Sequence, residues 1–134
     1  MTLEVANESI GLNGEPVLLE WTAAVNEEAT TVSATFDISY HGGTKGKVKC
    51  DCSDTGSLEV SAGLLDQLQA LGISGFPKIE IARRSTGTTD PPAQVNLAVE
   101  SMITKFLEIP GVTSCNRNGD CPTDQSCRPD FRCQ

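Results

Sequence analysis

Aromatic residues are scarce in this 134-residue chain, with four Phe, one Trp and one Tyr. A sugar or small-molecule site walled by rings therefore has little to draw on. Histidine is scarcer still. His41 is the only one, so a Ser-His-Asp or Cys-His machine would have to be built on it. It stands in "YHGGTKG", a turn sequence, and no G-x-S-x-G elbow supplies a nucleophile. No glycine-rich loop of the phosphate-cradling kind is present. No apolar run approaches the roughly 18 residues of a membrane span. Basic residues are outnumbered, 10 Lys and Arg against 18 Asp and Glu, for a formal charge of −8. Such a surface repels phosphate backbones, which excludes nucleic acid as the expected partner. The opening "MTLEV" also lacks the basic stretch and apolar run of a signal peptide.

What the sequence does have is alternation. In "TVSATFDISY" Val32, Ala34, Phe36, Ile38 and Tyr40 share one face, and Ser33, Thr35, Asp37 and Ser39 share the other. That is the pattern of a half-buried strand. "PVLLEWTA" repeats it through Val17, Leu19, Trp21 and Ala23, and "SLEVS" and "PKIEIAR" alternate too. Turn signals separate the runs: "LNGEP", "HGGTKG", "SDTGS" and "STGTTDPP". Short strands at this spacing predict an antiparallel sandwich or barrel. One segment breaks step. "SAGLLDQLQALG" sets Leu64, Leu65, Leu68 and Leu71 at helical spacing, with Gly72 as a stop. The stretch "QVNLAVESMITKFLEI" fits both periods. Residues 94–101 are read as strand, because a sandwich needs a closing strand.

Six cysteines are present, and four of them, Cys115, Cys121, Cys127 and Cys133, recur every six residues. Between them almost nothing is apolar. Structural zinc sites usually pair ligands two to four residues apart; every spacing here is C-x5-C. Asn116, Asn118 and Asp120 offer oxygens at alternate positions, but the long loop of an EF-hand is missing, and turn chemistry accounts for them. No metal and no cofactor is expected. So short a segment, with Phe131 its one aromatic, cannot offset chain entropy by burial. Disulfides are the remaining reading, and four cysteines allow three pairings. Such bonds require an oxidising place. The bare N-terminus is therefore read as that of a mature segment, not as a sign of cytosolic life.

The other two cysteines, Cys50 and Cys52, lie in "GKVKCDCS" on one strand face with Val48. Residues two apart in a strand have Cα atoms about 6.5–7 Å apart, at the edge of what a disulfide tolerates. A local break in the strand would allow a Cys50–Cys52 bridge. Otherwise they are buried thiols, or one reaches into the tail. A redox role would want a low-pKa thiolate near a base, yet Lys47 and Lys49 point to the opposite face. Asp51, Asp54 and Asp66 are read as solvated acidic surface. One of Arg83 and Arg84 is read as a surface ion pair. Trp21 is read as core.

Residues 15–85 resemble a recurring domain in exported proteins of myxobacteria and related deltaproteobacteria. The likeness rests on "VLLEWTA" and on "GKVKCDCSDTGSLEVSAGLLDQLQALGISGFPKIEIARRS". Its parts are a cysteine-bearing strand, the Asp54-Thr55-Gly56-Ser57 turn, a strand from Leu58 to Val60, a Leu-rich helix, and a strand from Ile79 to Arg83. The second cysteine of "CDC" departs from the single one of that pattern. The resemblance implies an Ig-like sandwich in a cell-surface or lipoprotein setting, with no known activity. The tail resembles short extracellular modules of the EB-like or dickkopf-like type through Cys115, Asp120-Cys121-Pro122, Cys127 and Cys133. That likeness implies first-to-third and second-to-fourth pairing, Cys115–Cys127 with Cys121–Cys133.

The expected architecture is all-β: an Ig-like antiparallel sandwich of about seven strands with one short helix over residues 1–112. A disulfide-rich module follows over 113–134. The expected role is non-enzymatic and extracellular or cell-surface, structural or adhesive, toward a protein or cell-surface partner, with self-association open. The rivals are a filament subunit, a small-ligand or carbohydrate module, and a redox or metal protein using Cys50 and Cys52.

Overall fold

A computed structural model describes residues 9–25, 29–43 and 45–134. Seven strands and one helix appear in the order β1 (Ser9–Gly11), β2 (Val17–Glu20), β3 (Thr30–Asp37), β4 (Lys47–Ser53), β5 (Ser57–Val60), α1 (Ala62–Ala70), β6 (Lys78–Thr88) and β7 (Asn96–Glu108). They form two layers. One is a five-stranded sheet in the order β1-β7-β6-β3-β4; the other is the β2-β5 pair. β3, β4, β6 and β7 run antiparallel to their neighbours, while β1 lies parallel to the end of β7, Ser9 beside Phe106. The β-rich fold expected from the sequence is thus present, as a five-stranded sheet with one parallel edge and a two-stranded pair.

Alternation decides which face each strand buries. Val32, Ala34 and Phe36 of β3 and Ile79 and Ile81 of β6 are fully buried on the inner face. Val17, Leu19 and Val60 of the small sheet close over them, and Leu65 and Leu68 of α1 extend the cover. The helix stops as its sequence suggests. Gly72 adopts φ +100° and its N–H returns to the Gln69 carbonyl, the left-handed ending that glycine takes without a Cβ penalty. The outer face of the large sheet is polar, carrying Thr31, Lys49, Asp51 and Arg84 among others.

Two expectations change here. "STGTTDPP" is not a turn throughout, because β6 continues to Thr88, where it pairs with Asn96. β7 supplies the cross-strand bonds that keep Ser85 to Thr88 extended. The β6–β7 hairpin therefore projects past β3, whose pairing ends at Ser85. Of the readings open for Cys50 and Cys52, the bridge between them is also absent, and both thiols are free. β4 holds regular register, Cys50 opposite Ala34 and Cys52 opposite Val32. No break in the strand brings the sulfurs together.

Candidate functional site

A buried clasp ties the two layers. Arg83, in phase with Ile79 and Ile81 on β6, points inward and is 2% exposed. Its Nε lies 2.8 Å from Asp54 Oδ2, and one terminal nitrogen donates to Asp54 Oδ1 at 3.1 Å and to the Thr22 carbonyl. Trp21 Nε1 donates to the same Asp54 oxygen at 2.6 Å. Asp54 is fully buried, so its reading as solvated surface is corrected; of Arg83 and Arg84, one of which is read as a surface ion pair, Arg83 makes its pair in the interior. A buried carboxylate needs a partner, and the indole N–H and guanidinium together supply one. Gly56, at φ +96°, turns the chain beneath this clasp, and its carbonyl accepts the Trp21 backbone N–H at 2.9 Å. The Asp-Thr-Gly-Ser turn is a fastener between β4 and β5. Asp51 and Asp66 are exposed and form no pair with Asp54.

The tail is joined as Cys115–Cys127 and Cys121–Cys133. Cys115, Cys121 and Cys127 bring their sulfurs close together, but all three are bonded in disulfides and none is a thiolate. Two of the three residues considered for calcium, Asn118 and Asp120, have their side-chain oxygens in use. Asp120 Oδ2 accepts the N–H groups of Asn116 and Arg117 at 2.9 and 3.2 Å, and Asn118 Oδ1 accepts that of Cys127 at 2.9 Å. These bonds hold the Asp120 carboxyl below its ordinary value, the Asn116 N–H contributing most. Arg132 does the same for Asp130, through its side-chain hydrogen bond first.

The tail docks on Gly75, a residue the sequence reading missed. Its N–H donates to the Asp130 carbonyl at 2.6 Å, and its own carbonyl accepts the Ser114 hydroxyl at 2.6 Å. Gly75 has φ +60°, and a Cβ there would overlap the Tyr40 carbonyl. Phe76 next to it meets the Phe131 ring at 5.9 Å between centroids. The only sequence signal was a glycine preceding Phe-Pro. Alongside this junction runs an open groove of about 590 Å³, lined by Phe76, Pro77, Phe106, Ile109, Pro110 and Ser114 among others.

Three further features lie on the surface. The projecting hairpin carries Val95, Leu97 and Val99, all about half exposed. His41 sits in its turn against the Tyr40 ring, 4.0 Å between centroids, and Lys78 lies over the other ring partner at 3.5 Å from the Tyr40 centroid. Cys50 and Cys52 stand half-buried on β4, the outermost strand of the large sheet. Burial pushes both thiols up from 9.0, helped by Asp51 at Cys50 and by Asp54 at Cys52. A raised thiol is a poor source of thiolate. Among the described residues no helix is long and apolar enough to cross a membrane. No family model, no curated protein and no solved structure matches this chain.

Proposed function

We propose that this chain is a non-enzymatic, exported bacterial surface protein, structural or adhesive, that acts through protein–protein contact. The observation that carries this reading is the tail. Its two interleaved disulfides hold a segment in which Cys115 is the one buried residue among 115–134. Such a unit keeps its shape only where thiols stay oxidised. Three other features support the reading. The single histidine is engaged with Tyr40 in a turn. The two free thiols are held protonated by burial. The projecting β6–β7 arm offers Val95, Leu97 and Val99 to solvent, beside an open groove of about 700 Å³ lined by Arg84, Thr86, Asn96 and Leu97 among others, an exposed apolar surface suited to another protein.

The test starts from protein recovered from its native cells without reductant. Free thiols are alkylated under native conditions and the intact mass and modified positions are read. Intact cells are treated with trypsin in parallel. The expected result is no alkylation of the tail cysteines Cys115, Cys121, Cys127 and Cys133, together with loss of the protein on trypsin treatment. Six alkylated cysteines, or full protection inside intact cells, would overturn the proposal.

A further inference from the structure

β4 is the free edge of the large sheet. Among the described residues no other strand pairs with its outer side, and no hydrogen bond from another element reaches the backbone of residues 47–52 there. A free edge is a template for another strand. Its side chains say which one. Lys49 and Asp51 sit on the outer face, 60% and 63% exposed, 3.1 Å apart. Val48, Cys50 and Cys52 sit on the inner face, half-buried at the rim.

We propose that this edge recognises itself: two copies of the chain pair β4 against β4, antiparallel, about a two-fold axis at Cys50. The register follows from charge and parity. Residues directly opposite in a sheet point to the same side, so only registers that keep inner faces together are allowed. Centring the axis on Lys49 sets Lys49 against its own copy. Centring it on Asp51 sets two carboxylates together. Centring it on Cys50 sets each Lys49 opposite the other copy's Asp51, a quartet of alternating sign, and packs Val48 against Cys52 on the inner face. Opposite charges across strands stabilise and like charges destabilise. Leu71, 56% exposed, lies against Gly46 just ahead of the same edge, adding apolar surface beside the strand. The other long edge lacks this property. On β7, Glu100 and Lys105 point to opposite sides of the sheet, so no register of β7 on itself pairs them.

The axis also brings Cys50 opposite Cys50 of the second copy. Directly opposed residues in an antiparallel pair have Cα atoms about 4.5 or 5.5 Å apart, inside the disulfide range that Cys50 and Cys52 of one strand barely reach. This gives the register a chemical readout. Diamide takes two electrons and two protons from two thiols, becoming a hydrazine as the S–S bond forms.

The experiment is sedimentation velocity of the full chain over a concentration series, followed by diamide treatment and mapping of the cross-link. The expected result is concentration-dependent dimer and a cross-link joining Cys50 to Cys50. The cross-link persists in Cys52→Ser and is lost in Cys50→Ser. Lys49→Asp alone, or Asp51→Lys alone, raises the dimer dissociation constant by roughly tenfold. The double variant Lys49→Asp/Asp51→Lys restores dimer, because the swapped edge is again self-complementary. Lys49 and Asp51 face solvent while Cys50 and Cys52 are half-buried, and thermal midpoints confirm that each variant folds. A chain that stays monomeric throughout, a cross-link that runs through Cys52, or a double swap no better than the singles would each overturn the proposal. None of these outcomes bears on export, which the thiol mapping tests separately.

Discussion

The body and the tail of this chain hold their shapes by different physics. In the body, Val32, Ala34, Phe36, Ile79 and Ile81 have no exposure at all, and apolar burial at about 25 cal/mol per Å² is the main favourable contribution. In the tail only Cys115 is buried, and two covalent links take over. Each link limits the unfolded chain and contributes about 3 kcal/mol for a loop of this size. The lesson is that each region has its own condition of failure. Denaturant and heat threaten the body; reductant threatens the tail. They meet at Gly75, where each side gives one hydrogen bond.

The largest effect is expected inside the body. Asp54→Ala leaves Arg83 buried and stripped of its carboxylate, at a cost of about 3–5 kcal/mol. Urea unfolding followed by Trp21 fluorescence measures it. A loss under 1 kcal/mol would mean that the clasp is not what joins the layers. Next comes the tail. Cys121→Ser with Cys133→Ser removes one link, about 3 kcal/mol of local stability. Amide exchange is expected to rise across residues 113–134 while the body retains its protection. Joint unfolding would erase the distinction between the two regions. Third is the junction: Gly75→Ala forces a left-handed residue with a Cβ, about 1–3 kcal/mol, and should raise exchange at Ser114 and Phe131 more than at Ile81.

pH separates the regions in opposite directions. Asp120 and Asp130 titrate below their ordinary value near 3.8 in the folded tail. A depressed carboxyl lends support above the unfolded value, and that support is lost as pH falls below about 4. Cys50 and Cys52 titrate above 9.0. A raised thiol favours the fold while neutral, and that support fades as pH climbs above about 9. Two-dimensional NMR across both limits should show the tail losing its folded dispersion before β4 in acid, and β4 losing it before the tail in base. The reverse order would mean these groups do not govern the regions that hold them. The smallest effect belongs to the arm. Val99→Ser, on a half-exposed side chain, should shift unfolding by less than about 0.5 kcal/mol. A larger loss would show that the arm belongs to the packed body.

Much of this was legible in the residues. The period of two marks β3, β4, β5 and β6, and the leucine spacing with Gly72 marks α1, because these signals depend only on neighbours along the chain. Arg83 was half legible. It is in phase with Ile79 and Ile81, but alternation alone does not name Asp54 as its partner, which enters from another strand's end. Trp21 carried a second hint, since a buried indole N–H needs an acceptor. β1 is three residues long and has no period to detect. The length of β6 was hidden by Ser, Thr and Gly at positions 85–88, residues that read as turn until a partner strand holds them extended. The free state of Cys50 and Cys52 was settled by unbroken register, a property of the β3–β4 pair rather than of either residue.

The parallel seat of β1 beside β7 also sets an order of events. Ser9 pairs with Phe106, so the first of the described strands to be made has to wait for the last. Loop closure over most of the chain is slow relative to a hairpin such as β3–β4. During synthesis the inner face near Ile10 stays open until the body is nearly complete. The final strand to dock is then the first of the seven to be made. A chain halted before residue 106 would have its β3–β4 hairpin but no seat for β1.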